Sequence, residues 1–523
     1  MEITNKSKTT SDSKNIKFGM LLSYAGMGIS ILGALFISNR VLDYIGDYNY
    51  GLYSFVTSIT TWLTVISSAL TASFLKYAST EANANSGDVS KTNTIYYKML
   101  SMMGIAVLVL GFSVLSILYT SKICIGKYNW EDSQTMYVLF ALSVINIGLT
   151  MPTSIFSLYI NFKKQFVFSR ILTIVITIIN FAGQFFIAYF TRSIVAIAAF
   201  TIVITLITYL CNSYFCRKAL NISFAKVALR DNKGLLYSIF VFSGILLFNT
   251  IVDQINTNVD KTLLGIFATP EDVTIYQMAQ QLTIYLVTMS VSVSGVFAPT
   301  IHELVVKNDT DKINNLYLKI SKLQSIILCC VAFGFLACGK NFIIWWIGEK
   351  RVASYYVAAV LMLLNIGPLT LNSSIEIQRA KNKHLFRAVV YFALAIANIV
   401  LSCIFLHILD QEHAVFACLA GTVITTICSH WISMNIYNKR IIGLPVERYL
   451  FTLLQYITIG LLGYLAVLGC NRLFITQIKL TLFKFMAQGF VFIAIYLTLT
   501  ALTNKTFIKN HLISRKSERT SQC

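Results

Sequence analysis

The sequence predicts an all-α integral membrane protein with about fourteen transmembrane helices, set out as two pseudo-symmetric six-helix lobes plus two C-terminal helices. Three observations predict it. The chain is 56% hydrophobic and 12% charged, against roughly 25% charged for a soluble domain. Fourteen apolar stretches of about 20 residues are each long enough to cross a ~30 Å hydrocarbon core as a helix. Residues 18–214 and 235–437 read as one six-helix design written twice.

The elements follow in order. Residues 1–17 form a polar cytoplasmic tail rich in Ser, Thr and Lys, expected to be disordered. Helix 1 (18–38) is too long for a cleavable signal peptide and lacks a small-residue cleavage site. Helix 2 (50–75) carries a polar stripe: Thr57, Ser58, Thr60, Thr61, Thr64, Ser67, Ser68 and Thr71. Helices 3 to 6 (99–120, 135–161, 167–190, 194–214) are apolar runs whose acids, Glu81, Asp88, Glu131 and Asp132, fall in the loops. A basic central loop with Arg217, Lys218 and Arg230 closes the N-lobe, 18–220. The C-lobe, 221–440, opens with helix 7 (235–256) and helix 8 (274–299), which carries Gln277, Gln280, Gln281, Thr283, Ser290, Ser292 and Ser294. It continues with helices 9 to 12 (321–347, 354–378, 385–408, 414–437). Helices 13 and 14 (449–469, 480–503) make up residues 441–503, and 504–523 is a second cytoplasmic tail. No connection is long enough for a soluble domain.

The duplication is visible residue by residue. Shifted by 223 positions, Tyr53, Thr60, Ser67 and Phe74 fall on Tyr276, Thr283, Ser290 and Phe297. Identities seven residues apart lie along one helical face. Shifted by 217, Lys164, Arg170, Thr205, Thr208 and Cys211 fall on Lys381, Arg387, Thr422, Thr425 and Cys428, and Pro152 lands one residue from Pro368. Duplicated halves are a common plan of secondary transporters, with the substrate site between them.

Charge gives orientation. With both termini inside, 31 of the 42 Lys and Arg fall on the inner side and 11 on the outer, as the positive-inside rule requires. The net charge of +20 is therefore a topology signal and a contact for anionic lipid. Nucleic-acid binding fits less well, because no basic block is joined to a soluble fold.

Several motifs resemble chemistry without its essential parts. Gly334 through Lys340 fits the first seven positions of a phosphate loop, but the next residue is Asn341 rather than a hydroxyl for Mg²⁺, and the stretch lies in an apolar helix. His302-Glu303 opens like a zinc-protease helix, yet position 306 is Val. The eleven cysteines form no metal-spaced pair, and adjacent Cys329 and Cys330 suit packing better than redox chemistry. No ATP, metal or other cofactor is expected, and no enzymatic activity.

Polar groups where lipid should be are the candidates for function. Three Gln within about a turn and a half of helix 8 suggest a wet cavity lined with helix 2. Its hydroxyls also suit ordinary packing against their own backbone. Ionisable residues at bilayer depth cost about 2.5–3.5 kcal/mol, so each warrants a hypothesis. Allowing a two-residue slip in the 223-residue shift, Arg40 and Lys261 occupy the same repeat position, Asn39–Leu42 against Asp260–Leu263. They read either as interfacial anchors or as one cation per half facing the cavity, with Asp260 able to neutralise Lys261. Lys76 suits an entry cation or the inner charge bias. Lys340 is a further cation in an apolar helix. Asp253 and Glu376 lack an assigned partner and read as a proton or Na⁺ site or as structural pairs. The cores of helices 1 to 6 contain no carboxylate, which argues against a cation-coupled drug exporter that depends on an N-half acid.

Lys17–Tyr24 and Arg40–Tyr53, with Asn258–Gly265 followed by Ile275-Tyr276, resemble the Wzx-type polysaccharide flippases of the multidrug/oligosaccharidyl-lipid/polysaccharide exporter superfamily. The similarity runs from residue 17 to about 440. It implies movement of undecaprenyl-pyrophosphate-linked oligosaccharide across a bacterial inner membrane by two rocking lobes around a cationic cavity. Membrane lipids, a polysaccharide polymerase and glycosyltransferases are the implied partners. On these terms Arg40, Lys76, Lys261, Gln277, Gln280, Gln281, Thr60 and Thr283 are candidate substrate contacts, and Asp253 and Glu376 candidate coupling-ion residues. A lipid II flippase, a cation-coupled exporter and a membrane scaffold are the alternatives.

Overall fold

A computed structural model describes residues 22–23, 25–85, 88–122, 129–381, 383, 385–410, 413–473 and 480–503, apart from the side chains of residues 245, 249, 253, 256, 299, 385 and 473. Both expected tails, and the start of helix 1, lie outside the described residues. All fourteen expected spans are helical, and no strand occurs among the described residues. In chain order they are α1 (Ala25–Ile45), α2 (Asp47–Ala84), α3 (Ser90–Thr120), α4 (Trp130–Phe162), α5 (Phe166–Thr191) and α6 (Ile194–Lys218). Then come α7 (Lys233–Phe267), α8 (Pro270–Val306), α9 (Thr310–Ile347), α10 (Ala353–Thr370, continued as Asn372–Ala380) and α11 (Leu385–Ile408). The last three are α12 (Ala414–Ile442), α13 (Val446–Leu473) and α14 (Thr481–Thr503).

Some helices outrun their apolar stretches because polar side chains cap the added turns. Glu81 accepts from the backbone N–H groups of Lys91 (3.2 Å) and Thr92 (2.7 Å), so α3 starts at Ser90 rather than near 99. Asp309 accepts from Lys312 N at 3.1 Å and starts α9 at Thr310. Each carboxylate satisfies N–H groups that have no partner within their helix. In the same α2–α3 loop Ser90 donates its hydroxyl and its N–H to Asp88, which holds that carboxyl below its ordinary pKa.

Irregular turns have local causes too. Hydroxyls that bond back to carbonyls three and four residues earlier compete with the helix ladder, and α2 tightens to a 3₁₀ turn at Thr61–Thr64, within its hydroxyl stripe. Pro368 has no N–H to give Leu364; the Trp431 indole N–H donates to that carbonyl instead, at 3.1 Å. Three residues on, α10 breaks at Leu371. Pro152 leaves α4 unbroken. There the orphaned Gly148 carbonyl faces Gly104 of α3 so closely that a Cβ on Gly104 would lie 2.7 Å from it. Small residues that let helix backbones approach are a main route to packing in lipid.

The described helices fall into two compact units. One holds α1 to α7, the start of α8 through Thr274, and the turn Leu409–Ala414; the other holds Ile275–Ile408 and everything from Val415. In the first, α7 packs on α2 through Ser58···Thr262 (3.0 Å) and Ser243···Ser73 (3.0 Å), and its Gly265 lies against the Phe55 ring. The sequence repeat restarts before α7, whereas packing groups α7 with the helices before it. A buried core of Leu70, Phe74, Tyr96, Leu100, Ile155 and Phe156 packs within this unit. Large apolar side chains such as Leu110 (65% exposed), Phe190 (76%), Phe451 (74%) and Phe490 (77%) stand on outer helix faces, as a hydrocarbon solvent demands.

Candidate functional site

The first unit brings the two helical hairpins of the repeat into contact. The α1–α2 turn is made by Gly46, with φ of +87°, a conformation that L side chains rarely adopt. The α7–α8 turn carries a capping box. Thr269 Oγ1 donates to Asp272 Oδ2 (2.8 Å), Asp272 N donates to Thr269 Oγ1 (3.3 Å), and Pro270 takes the first helical position. Thr274 Oγ1 donates to the Asp47 carbonyl at 2.7 Å, and a Cβ on Gly51 would stand 1.8 Å from the Pro270 carbonyl oxygen. Under the 223-residue shift Asp47 corresponds to Pro270 and Gly51 to Thr274. The two contacts are therefore one contact made twice, 47 to 274 and 51 to 270, as self-complementary packing of related elements requires.

Lys261 lies one turn before Gly265, which packs against Phe55 of α2, and is only 9% exposed. Arg40, its repeat counterpart, is exposed on α1. Equivalent positions thus hold two cations in different surroundings. Lys76 is exposed toward the C-terminal end of α2, with its ammonium 3.7 Å from the centroid of the Phe242 ring of α7, a cation–π contact. Thr60 is buried and donates to the Val56 carbonyl at 3.0 Å. Its stripe-mates do the same: Thr57, Ser58, Thr61, Thr64, Ser67, Ser68 and Thr71 each donate to a carbonyl of their own helix. Asp253 is on α7, but its side chain lies outside the described residues.

In the second unit, Gln277, Gln280 and Gln281 are half-buried on α8, and Gln281 reaches Tyr285 Oη at 3.3 Å. Thr283 is buried and donates to Ala279 O. Further along, Ser290 is a structural centre rather than a cavity residue. It donates to Leu369 O (2.8 Å) beside the α10 break and accepts from Gln324 Nε2 and Asn372 Nδ2, each at 3.0 Å. Ser321 donates to Thr370 O (3.3 Å), and the Thr370 and Tyr449 hydroxyls meet at 2.7 Å. Glu376 accepts from Arg379 at 2.7 Å near the C-terminal end of α10, a contact of the kind the structural alternative for that acid expects. Sequence reasoning missed this polar junction because Gln324 and Asn372 come from separate helices. The Thr269–Asp272 capping box was legible and overlooked.

The Gly334–Lys340 heptad lies within α9, where a Cβ on Gly334 would meet the Phe492 ring at 3.2 Å. Its first glycine is thus a packing residue. Among the described residues no group of three His, Cys, Asp or Glu is placed to hold a metal.

With this geometry in hand, the sequence matches the polysaccharide biosynthesis protein family over residues 45–355, more than half of the chain. The chain belongs to that family. No curated protein matches it. Among solved structures, the lipid II flippase MurJ in an inward closed conformation is similar, with a TM-score of 0.70 at 14% identity over 95% of this chain and 100% of that one. An inward-facing multidrug resistance MATE transporter of the MOP superfamily gives 0.56 at 12% identity over 81% and 96%. An outward-facing one gives 0.54 at 13% over 83% and 97%. These identities show the fold alone. This member of the polysaccharide biosynthesis family is a multi-pass membrane protein with the fold of MOP superfamily transporters.

Proposed function

We propose that this protein flips undecaprenyl-pyrophosphate-linked oligosaccharide units from the inner to the outer leaflet of a bacterial inner membrane, by alternating access of two lobes with both termini cytoplasmic. The observation that carries the reading is the family match, which runs from the end of α1 to the start of α10. Composition and fold support it: a duplicated membrane protein with polar stripes on its second and eighth helices. In this reading Lys261 and the α8 glutamines, Gln277, Gln280 and Gln281, hold pyrophosphate and sugar. Thr60 and Thr283 line the path, and Lys76 attracts the anionic headgroup at the inner end. Arg40 serves as an interfacial anchor. An anion leaving a negative interior gains about 2.3 kcal/mol per charge per 100 mV, so the membrane potential contributes drive. Asp253 remains the candidate for a coupled cation.

A second reading, lipid II transport, is favoured by the likeness to MurJ over the full length of both chains. One experiment separates them. In a deletion strain, the leaflet distribution of undecaprenyl-linked precursors is measured by accessibility to a membrane-impermeant reagent. Build-up of complete oligosaccharide units on the inner leaflet, relieved by the wild-type gene, is the expected result. Build-up of lipid II instead transfers the chain to the second reading, and neither accumulating would sink both.

A further inference from the structure

Beyond the translocation path, the outer ends of α9, α13 and α14 enclose a cavity of about 730 Å³ lined by Lys340, Asn341, Asn471, Arg472, Lys484 and Gln488. Three of these are cations, and none of the three makes an ion pair among the described residues. The sequence explains why: no Asp or Glu occurs between Asp311 and Glu349, or between Glu447 and Glu518. With both termini inside, Lys340, Arg472 and Lys484 all fall on the outer side, against the bias that keeps Lys and Arg within. Lys484 also stands in the first turn of α14, where the helix dipole disfavours a positive charge. Two unfavourable placements and no internal counter-ion call for an external one.

The cavity floor is ordered. Gln488 is only 2% exposed, donates to Asn471 Oδ1 at 2.9 Å and accepts from Asn341 Nδ2 at 2.8 Å. One buried amide thus ties together the three helices that carry the cations, and fixes where those cations stand before any ligand arrives. The exposed ends of Lys340 and Arg472 and the half-buried Lys484 present ammonium and guanidinium donors suited to phosphate oxygens.

We infer that this cavity is a binding site for the phosphate of a lipid headgroup in the outer leaflet. Either an anionic glycerophospholipid or the pyrophosphate of the translocated lipid supplies that chemistry. The leaflet rests on the orientation proposed above; the site itself does not depend on the transported substrate.

The test uses the full-length protein in phosphatidylcholine nanodiscs, with lipid retention read by native mass spectrometry. Phosphatidylglycerol is expected to be retained at least tenfold over added phosphatidylcholine of distinct mass, with retention falling as salt rises. Lys340→Gln, Arg472→Gln and Lys484→Gln together should abolish the preference, while Lys340→Arg with Lys484→Arg should keep it. Undecaprenyl pyrophosphate, added in a parallel arm, identifies the source. If it outcompetes phosphatidylglycerol the site takes the translocated lipid, and if it does not the site takes a bilayer lipid. Equal retention of the two phospholipids by the wild type, or an unchanged preference in the triple variant, would overturn the proposal. Should the triple variant fail to fold, Lys484→Gln alone is expected to lower the preference at least threefold, and no change there would equally overturn it. Because no glycan or transport enters the assay, its failure leaves the flippase reading standing.

Discussion

Replacing Gly51 by alanine tests the paired hairpin contact most directly. The added Cβ would lie 1.8 Å from Pro270 O, 2.4 Å from Pro270 C and 2.9 Å from Pro270 Cα. All three are backbone atoms, so no side-chain rotation relieves the clash. Reaching an ordinary carbon–oxygen separation of about 3.2 Å requires α2 and α8 to part by roughly 1.4 Å at this point, and overpacking of this kind costs about 1–3 kcal/mol. Alanine in a helix gains about 1 kcal/mol over glycine, but that gain is present in every conformation in which α2 stays helical. The clash exists only where the hairpins touch. The balance therefore shifts against the closed contact by roughly 5- to 150-fold. Double electron–electron resonance between labels at the exposed positions Asp43 and Glu271, in a cysteine-free background, should show a longer and broader distance in Gly51→Ala. Gly28→Ala, where the new Cβ meets nothing within 4 Å, is the matching control. An unchanged distance distribution, with flipping at the wild-type rate, would refute the reasoning.

Further outcomes are expected elsewhere. Ser290→Ala removes the hub of three hydrogen bonds beside the α10 break; at about 0.6 kcal/mol per interhelical bond it should cost roughly 1–2 kcal/mol, read as a lower thermal midpoint in detergent. Lys261→Ala should reduce flipping in vesicles at least tenfold and Arg40→Ala less than twofold, because only the former is buried where α7 meets α2; equal effects would return both to the same role. Glu376→Gln should leave any dependence on a Na⁺ or proton gradient unchanged, with a stability loss of about 0.5 kcal/mol or less for a partly exposed helical pair, and a lost gradient response would instead make it the coupling acid.

The fold was legible because the bilayer imposes one rule on every span: its backbone must satisfy itself, and its length must match the hydrocarbon. Apolar run length therefore found all fourteen helices. Two of the ends it misjudged, at Ser90 and Thr310, are set by single capping carboxylates, Glu81 and Asp309, which hydropathy cannot see. The candidate site was less legible for a related reason. A serine in a membrane helix reads alike whether it faces water or a neighbouring carbonyl. Ser290 was grouped with the α8 stripe by spacing, yet its partners come from α9 and α10. The repeat predicted equivalent positions for Arg40 and Lys261, but equivalence of position does not carry equivalence of burial once the sequences around them have diverged.

The hydrogen-bond directions also decide what each stripe can offer a substrate. A back-bonded threonine or serine has spent its only proton on its own helix and keeps only acceptor capacity. The accessible hydroxyls of α2, Thr57, Thr61, Thr64, Ser67, Ser68 and Thr71, thus form an acceptor surface. Sugar hydroxyls can donate to it, but a pyrophosphate cannot, because it too only accepts. The anionic part of the proposed substrate must therefore be held by groups with N–H donors. On α8 these are the amides of Gln277, Gln280 and Gln281; on α7 the donor is the ammonium of Lys261. On the proposed function this divides the labour, with the second helix reading sugar and the seventh and eighth reading charge. In the proposed reading the N–H donors for the anion therefore come mainly from the second copy of the repeat, with Lys76 of α2 the donor from the first.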